Sequence, residues 1–251
     1  MCLLSVVAVS SHCYADFVFA NGQQNTVDYQ INDYVVVTDS QTGAVTEVTF
    51  LQGAMVLGTL QSEDDSLIAL DNSRVRVEGG SFVNDVVAAD DSQLVISGGQ
   101  LNDDVQLYGE ASILITGGVI ADDVETYGGT LSITGGTFAE DIEIFEGSAE
   151  LSGGTFNTSG NGRFRVGADG SLVIVGRELT VNGTAVGSGQ ITDVSGLISG
   201  TLADGSTFTD IRFSTQGGQG FLGFQAVPEP TSGSLVLLAT LALGFRRIRR
   251  N

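Results

Sequence analysis

The sequence predicts an all-β chain: a parallel β-helix, or β-solenoid, wound from coils of 18–19 residues. Three observations carry this reading. Gly-Gly pairs fall at 79–80, 98–99, 117–118, 135–136 and 153–154, in steps of 19, 19, 18 and 18 residues. The residues four and two before each pair are apolar and alternate with more variable neighbours: Val75 and Val77, Leu94 and Ile96, Ile113 and Ile115, Leu131 and Ile133, Ala149 and Leu151. That is the period-2 mark of a strand buried on one face. Finally, between residues 16 and 226 no 3.6-residue apolar period lasts beyond a few residues, which nearly excludes helix there.

Taken in order, residues 1–15 (MCLLSVVAVSSHCYA) read as a secretory signal peptide, with apolar Leu3 to Val9 ending near the small Ala15. A basic n-region is lacking, which places the expected true start upstream. Residues 16–46, with Phe17, Val18, Phe19 and Tyr34 to Val37, read as an N-terminal cap, because an open β edge invites aggregation. The solenoid is expected over 47–215, regular at 75–156 and looser afterwards, with Leu197 to Gly205 giving the last turns. In the regular part, position +3 from the first Gly is Phe82, Leu101, Ile120, Phe138 and Phe156, and position +7 is Val86, Val105, Val124 and Ile142. One such coil is too thin to bury its own apolar face, so only stacking makes a core. The Gly pairs mark corners, where a positive φ or a tight bend excludes a Cβ. Residues 216–226, rich in Gly and Gln, read as a tether, and 227–251 as a separate tail ending in a short hydrophobic helix. The three-segment period resembles the parallel β-helix of autotransporter adhesin passengers, whose Gly-rich repeats have similar length.

The chain carries 30 acidic and 10 basic residues, and the basic ones are all arginine. With four arginines and one glutamate assigned to the tail, the mature body holds 29 acids against 6 arginines, a net charge of −23. Nucleic acid and anionic membrane surfaces are repelled by such a body, which leaves divalent cations and cationic polymers as charge partners. Cleavage after Ala15 would remove Cys2, Cys13 and His12, hence every cysteine and the one histidine. Without His, Cys or Lys, the commonest catalytic bases and nucleophiles are missing, and the chain reads as non-enzymatic.

The tail reads VPEPTSGSLVLLATLALGFRRIRRN. Pro228, Glu229 and Pro230, an apolar run from Leu235 to Phe245, and then Arg246, Arg247, Arg249 and Arg250 resemble the PEP-CTERM sorting signal of bacterial exported proteins. The resemblance implies processing by an exosortase-type membrane protease and delivery to the cell surface or extracellular matrix. Thr231 to Phe245 makes about 22 Å of helix, short of a bilayer core of roughly 30 Å. This suits a transient membrane anchor, with the arginines held on the cytoplasmic side.

Three columns of residues are candidates for chemistry. Position +6 is Asp85, Asp104, Asp123 and Asp141, and position +5 is Asn84, Asp103, Asp122 and Glu140. Stacked carboxylates repel, and hard oxygen ligands suit Ca²⁺, so Asp85, Asp103, Asp104, Asp122, Asp123, Glu140 and Asp141 form a candidate calcium row. No cofactor is required, since the same residues also serve as a solvated corner that keeps a β surface soluble. Tyr108, Tyr127 and Phe145 share position +10, where they either stack on sugar faces or pack against one another. Ser97, Thr116, Thr134 and Ser152 precede the Gly pairs, in a column that Glu78 breaks. The expected function is that of an exported structural or adhesive solenoid. The alternatives are a module binding matrix polysaccharide or ice, and a polysaccharide-active enzyme.

Overall fold

The computed structural model describes residues 17–58, 65–157, 162–216 and 220–227. Its regular elements are all strands, and among the described residues no helix is long and apolar enough to cross a membrane. The expected signal peptide and the tail from Pro228 onward lie outside the described residues.

The strands wind into a parallel solenoid of about eight turns with coils near 19 residues. The first face begins with Phe17–Phe19 and adds Val35–Val37, Asp65–Ala69 and Asp85–Ala88 in successive coils. The second begins with Gln24–Val27 and adds Glu47–Phe50, Arg74–Val77 and Gln93–Ile96. The third is narrow: Gln30–Ile31, Met55–Val56, Ser81–Phe82, Gln100–Leu101 and Val119–Ile120. From Val105 the strands run on through corners, as Val105–Ile115, Val124–Phe138, Ile142–Phe156 and Arg163–Val181.

Parallel strands lie about 4.8 Å apart, so each inward side chain sits on its equivalent one coil away. On the first face the ladder runs Phe17, Val35, Leu67, Val86, Val105, Val124, Ile142, Phe164. On the second, Val75, Leu94, Ile113, Leu131, Ala149 and Leu172 stack, as do Val77, Ile96, Ile115, Ile133, Leu151 and Ile174. On the third, Phe82, Leu101, Ile120, Phe138 and Phe156 stack. These columns merge into one buried core. Burying one such Val, Leu, Ile or Phe stabilises the fold by about 1.5–3 kcal/mol.

The two glycines of each pair are needed for different reasons. The second takes a left-handed φ: +93° at Gly80, +90° at Gly99, +92° at Gly118, +103° at Gly136 and +115° at Gly154. The first lies against the coil below. A Cβ on Gly98, Gly117, Gly135 or Gly153 would sit 2.4, 2.5, 2.4 or 2.2 Å from the backbone oxygen of Glu78, Ser97, Thr116 or Thr134.

Three boundaries differ from the sequence expectation. From Phe17 the residues expected as an N-terminal cap supply a full coil, paired in parallel with the next through Asn25↔Val48 and Ile31↔Val56. The Leu197 to Gly205 segment is not a coil either. Ser195–Leu202 turns back and pairs antiparallel with Thr207–Thr215 and Arg163–Val181. The last coil forms later, when Thr207–Thr215 reaches Arg163–Val166 and Phe221–Ala226 lies parallel on Ser171–Gly176. Phe221–Ala226, within the expected tether, is therefore a strand, and the buried Leu222 and Phe224 explain why.

The antiparallel strands do the capping. Ser195–Leu202 covers the outer edge of Thr207–Thr215, and Gly189–Ile191 covers that of Phe221–Ala226. Asp204, in the turn after Leu202, then closes the third corner. Its Oδ2 accepts the Gly154 N–H at 3.1 Å, and its Oδ1 accepts the Ser206 N–H at 2.8 Å. Partial burial pushes its carboxyl up, but the hydrogen bonds from the Ser206 hydroxyl and from these two N–H groups outweigh it and hold the carboxyl below the usual range.

Candidate functional site

The corner between the third and first faces carries a column of carboxylates that serve as backbone acceptors. The Asp104 N–H donates to Asp85 Oδ1 at 3.3 Å, and the Asp123 N–H to Asp104 Oδ1 at 3.1 Å. Asp141 N–H donates to Asp123 Oδ1 at 2.7 Å, and Arg163 N–H to Asp141 Oδ1 at 2.8 Å. One coil below Asp85, the Ser66 hydroxyl does the same for the Asn84 N–H at 2.8 Å. In the opposite sense Val86, Val105 and Val124 donate to the carbonyls of Asp104, Asp123 and Asp141. The chain bends here between the third-face and first-face strands, and a carboxylate reaches the N–H that the interrupted ladder leaves without a carbonyl.

Only part of the expected calcium row converges. Carboxylate oxygens approach within 4.8 Å in three groups: Asp85, Asp103 and Asp104; Asp104, Asp122 and Asp123; and Asp123, Asp141 and Glu143. Glu140 joins none of these groups, while Glu143, which the sequence reading passed over, joins the third. Its place was legible in principle: Asp141 and Glu143 flank inward Ile142, so strand alternation puts both outside.

At 4.8 Å two ionised carboxylates repel by about 3 kcal/mol at an effective dielectric of 20. Burial, then the charges of Asp103 and Asp104, push the Asp85 carboxyl up to about 7. Burial likewise raises Asp104, against the Asp123 N–H and with Asp122, Asp123 and Asp103 adding to it. Asp123 and Glu125 are raised by burial first and by their acidic neighbours after it. Glu143, 3% exposed, is pushed up to about 7 by burial even though Arg165 opposes it.

The column ends in arginine. Arg163 binds Asp141 Oδ2 through Nε and Nη2, both at 2.9 Å, and Arg165 pairs with Glu143 and lies 3.6 Å from Asp141 Oδ2. A cation at the third group would face these guanidinium groups. The first two groups consist of aspartates alone, the hard oxygen donors that suit such a cation.

Beside the acids, on the outward side of the first face, Tyr108, Tyr127 and Phe145 stack. Both ring pairs are 5.0 Å apart, with interplanar angles of 7° and 17°. The hydroxyls are held too, Tyr108 donating to Gln106 at 2.9 Å and Tyr127 to Glu125 at 3.1 Å. Burial and Glu125 push the Tyr127 phenol up to about 12. Both faces of the Tyr127 ring are thus covered by neighbouring rings. Gly167 lies against the Phe145 backbone, and Ala89 follows the residue that pairs with Leu107, so neither neighbouring coil adds a ring and the stack has three.

The hydroxyls before the glycine pairs stay on the outer face, where Ser97, Thr116 and Thr134 are exposed, and reach to the coil below. Ser97, Thr116, Thr134 and Ser152 donate to the carbonyls of Val77, Ile96, Ile115 and Ile133 at 3.3–3.5 Å. These long bonds tie neighbouring coils together. Neither the family models, nor the curated proteins, nor the solved structures compared with this chain give a match.

Proposed function

We propose that the chain is an exported cell-surface or extracellular-matrix protein whose role is structural or adhesive and not enzymatic. The observation that carries this is the regular column. Stacked coils hold the same side chains at one spacing over the length of a rod, which suits a repetitive surface and not a single reaction centre. The acids recur coil after coil as backbone acceptors, whereas a carboxylate pair for glycoside hydrolysis is one isolated constellation.

Export and sorting rest on the sequence of the two ends. Pro228, Glu229 and Pro230 with Arg246, Arg247, Arg249 and Arg250 fit handling by an exosortase-type protease, through a transient membrane anchor. In the natural host, an epitope-tagged full-length chain is expected at the surface or in the matrix. The same chain lacking 227–251 is expected to lose that location. Identical fractionation of the two chains would refute the sorting reading.

A second reading, binding of matrix polysaccharide, is favoured by the aromatic stack lying beside carboxylates on one outward face. Since the central ring has no open face, such a ligand would meet Tyr108 or Phe145 at the ends of the stack. Glycan-array binding by the wild-type chain that disappears in Tyr108→Ala is the expected result of this reading. Binding that survives Tyr108→Ala and Phe145→Ala together would place the ligand elsewhere.

A further inference from the structure

We propose that the N-terminal end of the solenoid is a docking edge for a second copy of the chain, so that two rods join end to end about a two-fold axis. Among the described residues each strand of the first coil is paired on one side. Phe17–Phe19 pairs with Val35–Val37, Gln24–Val27 with Glu47–Phe50, and Gln30–Ile31 with Met55–Val56. The second coil donates from Thr38, Leu51 and Leu57 to the carbonyls of Phe19, Val27 and Ile31. Successive residues of a parallel strand aim their N–H and C=O at opposite neighbours. Val18, Gln24, Thr26 and Gln30 therefore turn both backbone groups away from the second coil, towards the open end, and all four side chains are outward and exposed.

Exposed β edges are ordinarily blunted by a charge, a proline, a bulge or a covering segment. The strands FVF, QNTV and QI carry no charge and no proline, and their registers run without a shift. The acids of residues 17–34 are Asp28 and Asp33, at the turns on either side of the third face. The opposite end is built differently, with Ser195–Leu202 and Gly189–Ile191 running antiparallel beside the last strands. With one end covered, head-to-tail growth has no second edge to use, and two equal ends close on each other. On the export reading, which is required here, cleavage after Ala15 leaves Asp16 alone ahead of Phe17, too little of this chain to cover the edge. The converging carboxylates lie in later coils, from Asp85 onward, so end-on contact keeps the densest charge of two acidic bodies apart.

A two-fold across the second face reverses strand direction. Gln24–Val27 then meets the partner's Gln24–Val27 antiparallel, and Phe17–Phe19 lies over the partner's Gln30–Ile31. Residues directly opposed in an antiparallel pair share a face of the sheet, so the register must keep Asn25 and Val27 inward in both copies. Two registers do so, one with Thr26 opposite the partner's Thr26 and one with Thr26 opposite the partner's Gln24. Both place the Thr26 N–H and C=O in the new ladder. Phe17, partly buried against the core and 5.1 Å from Phe19 edge to face, gains cover as well. Strands of three, four and two residues make a contact smaller than the ordinary interface of roughly 1,600 Å². A concentration-dependent pair is therefore expected, not a permanent one.

The test uses the chain purified from its natural host, held in chelator, with its intact mass read first. A chain beginning at Asp16 is expected to sediment as a monomer–dimer equilibrium. Its dimer fraction should rise from about 0.05 to about 0.5 M NaCl, because salt screens the repulsion of two acidic bodies. Small-angle scattering reads the geometry: about eight coils span about 40 Å, so the maximum dimension should roughly double at unchanged cross-section. Thr26→Pro removes an N–H that faces the open end and leaves the bonds to the second coil in place. With one hydrogen bond lost per copy, it should weaken the dimer by about tenfold or more at a nearly unchanged melting temperature. Thr26→Lys puts a charge at the same exposed position and should act alike, which covers the case of a proline that unfolds the first coil. A chain beginning at Asp16 that stays monomeric at millimolar concentration overturns the proposal and leaves the export reading standing. A chain that keeps residues 1–15 overturns both. A dimer no longer than the monomer, or one that both variants form as readily as wild type, places the contact on a side of the rod and also overturns it.

Discussion

Gly117→Ala is expected to destabilise the protein by about 3 kcal/mol, near the top of the usual range for overpacking. The added Cβ would lie 2.5 Å from the Ser97 backbone oxygen and 3.1 Å from its carbonyl carbon. Neither atom belongs to a side chain that can rotate away. Ser97 is fixed by its own N–H to Val77 O at 2.8 Å, and Thr116 by its N–H to Ile96 O at 2.8 Å. Relief must come from spreading two coils, which strains the parallel ladders on both sides of the corner. Gly117 has no left-handed φ, so the effect would report contact and not backbone conformation. Gly187→Ala is the control: nothing lies within 4 Å of its added Cβ and its φ is ordinary, so a change within about 0.5 kcal/mol is expected. Urea unfolding of the two variants measures the difference. Equal midpoints would mean that coils do not approach as closely as the glycine column requires.

The same column explains how far the sequence could be read. A glycine pair recurs only where the chain must both touch the coil below and turn with positive φ, so its spacing revealed the coil length and the inward positions of residues 75–156. The first coils lack that marker. Asp28-Tyr29 and Gln52-Gly53 stand at the equivalent corner, and the step from Val35 to Leu67 is longer than later steps. Their alternating apolar residues were visible, but nothing distinguished a first coil from a cap. At the other end the difficulty is different. Period-2 alternation is the same for a strand running up or down, so Leu197 to Leu202 could not reveal that it pairs antiparallel. Phe221–Ala226 was hidden by its Gly and Gln neighbours, although Leu222 and Phe224 carry the alternation of a buried strand.

For the candidate site, residue identities were legible and bonding was not. The aspartate column was plain in the spacing. That each carboxylate accepts an N–H from the next coil depends on the corner's backbone path, which no side chain encodes. Arg163 and Arg165 could be recognised as an alternating outward pair. Their role in closing the acidic column appears only once Asp141 and Glu143 are seen beneath them.

Phe138→Ala is the second large effect, with an expected loss of about 3–5 kcal/mol for truncating a buried phenylalanine. Phe138 is 1% exposed and lies on Phe156, with ring centroids 5.2 Å apart and planes at 10°. It also fills the corner: a Cβ on Gly154 would come within 3.1 Å of its ring, so the neighbouring coil is shaped around it. The third face is only two residues wide in most coils, and no second row of side chains there could collapse into the space. Because each coil contacts mainly its neighbours, the damage should be local, weakening the junction of Val124–Phe138 with Ile142–Phe156. Hydrogen exchange should then show the coils before Ile120 still protected while those around Phe156 open. Phe138→Leu installs the side-chain type that Leu101 already supplies in this column, so it should recover most of the loss. If Phe138→Ala lowers protection equally from Val35 to Ile174, the solenoid unfolds as one block, and the nearest-neighbour account of its stability fails.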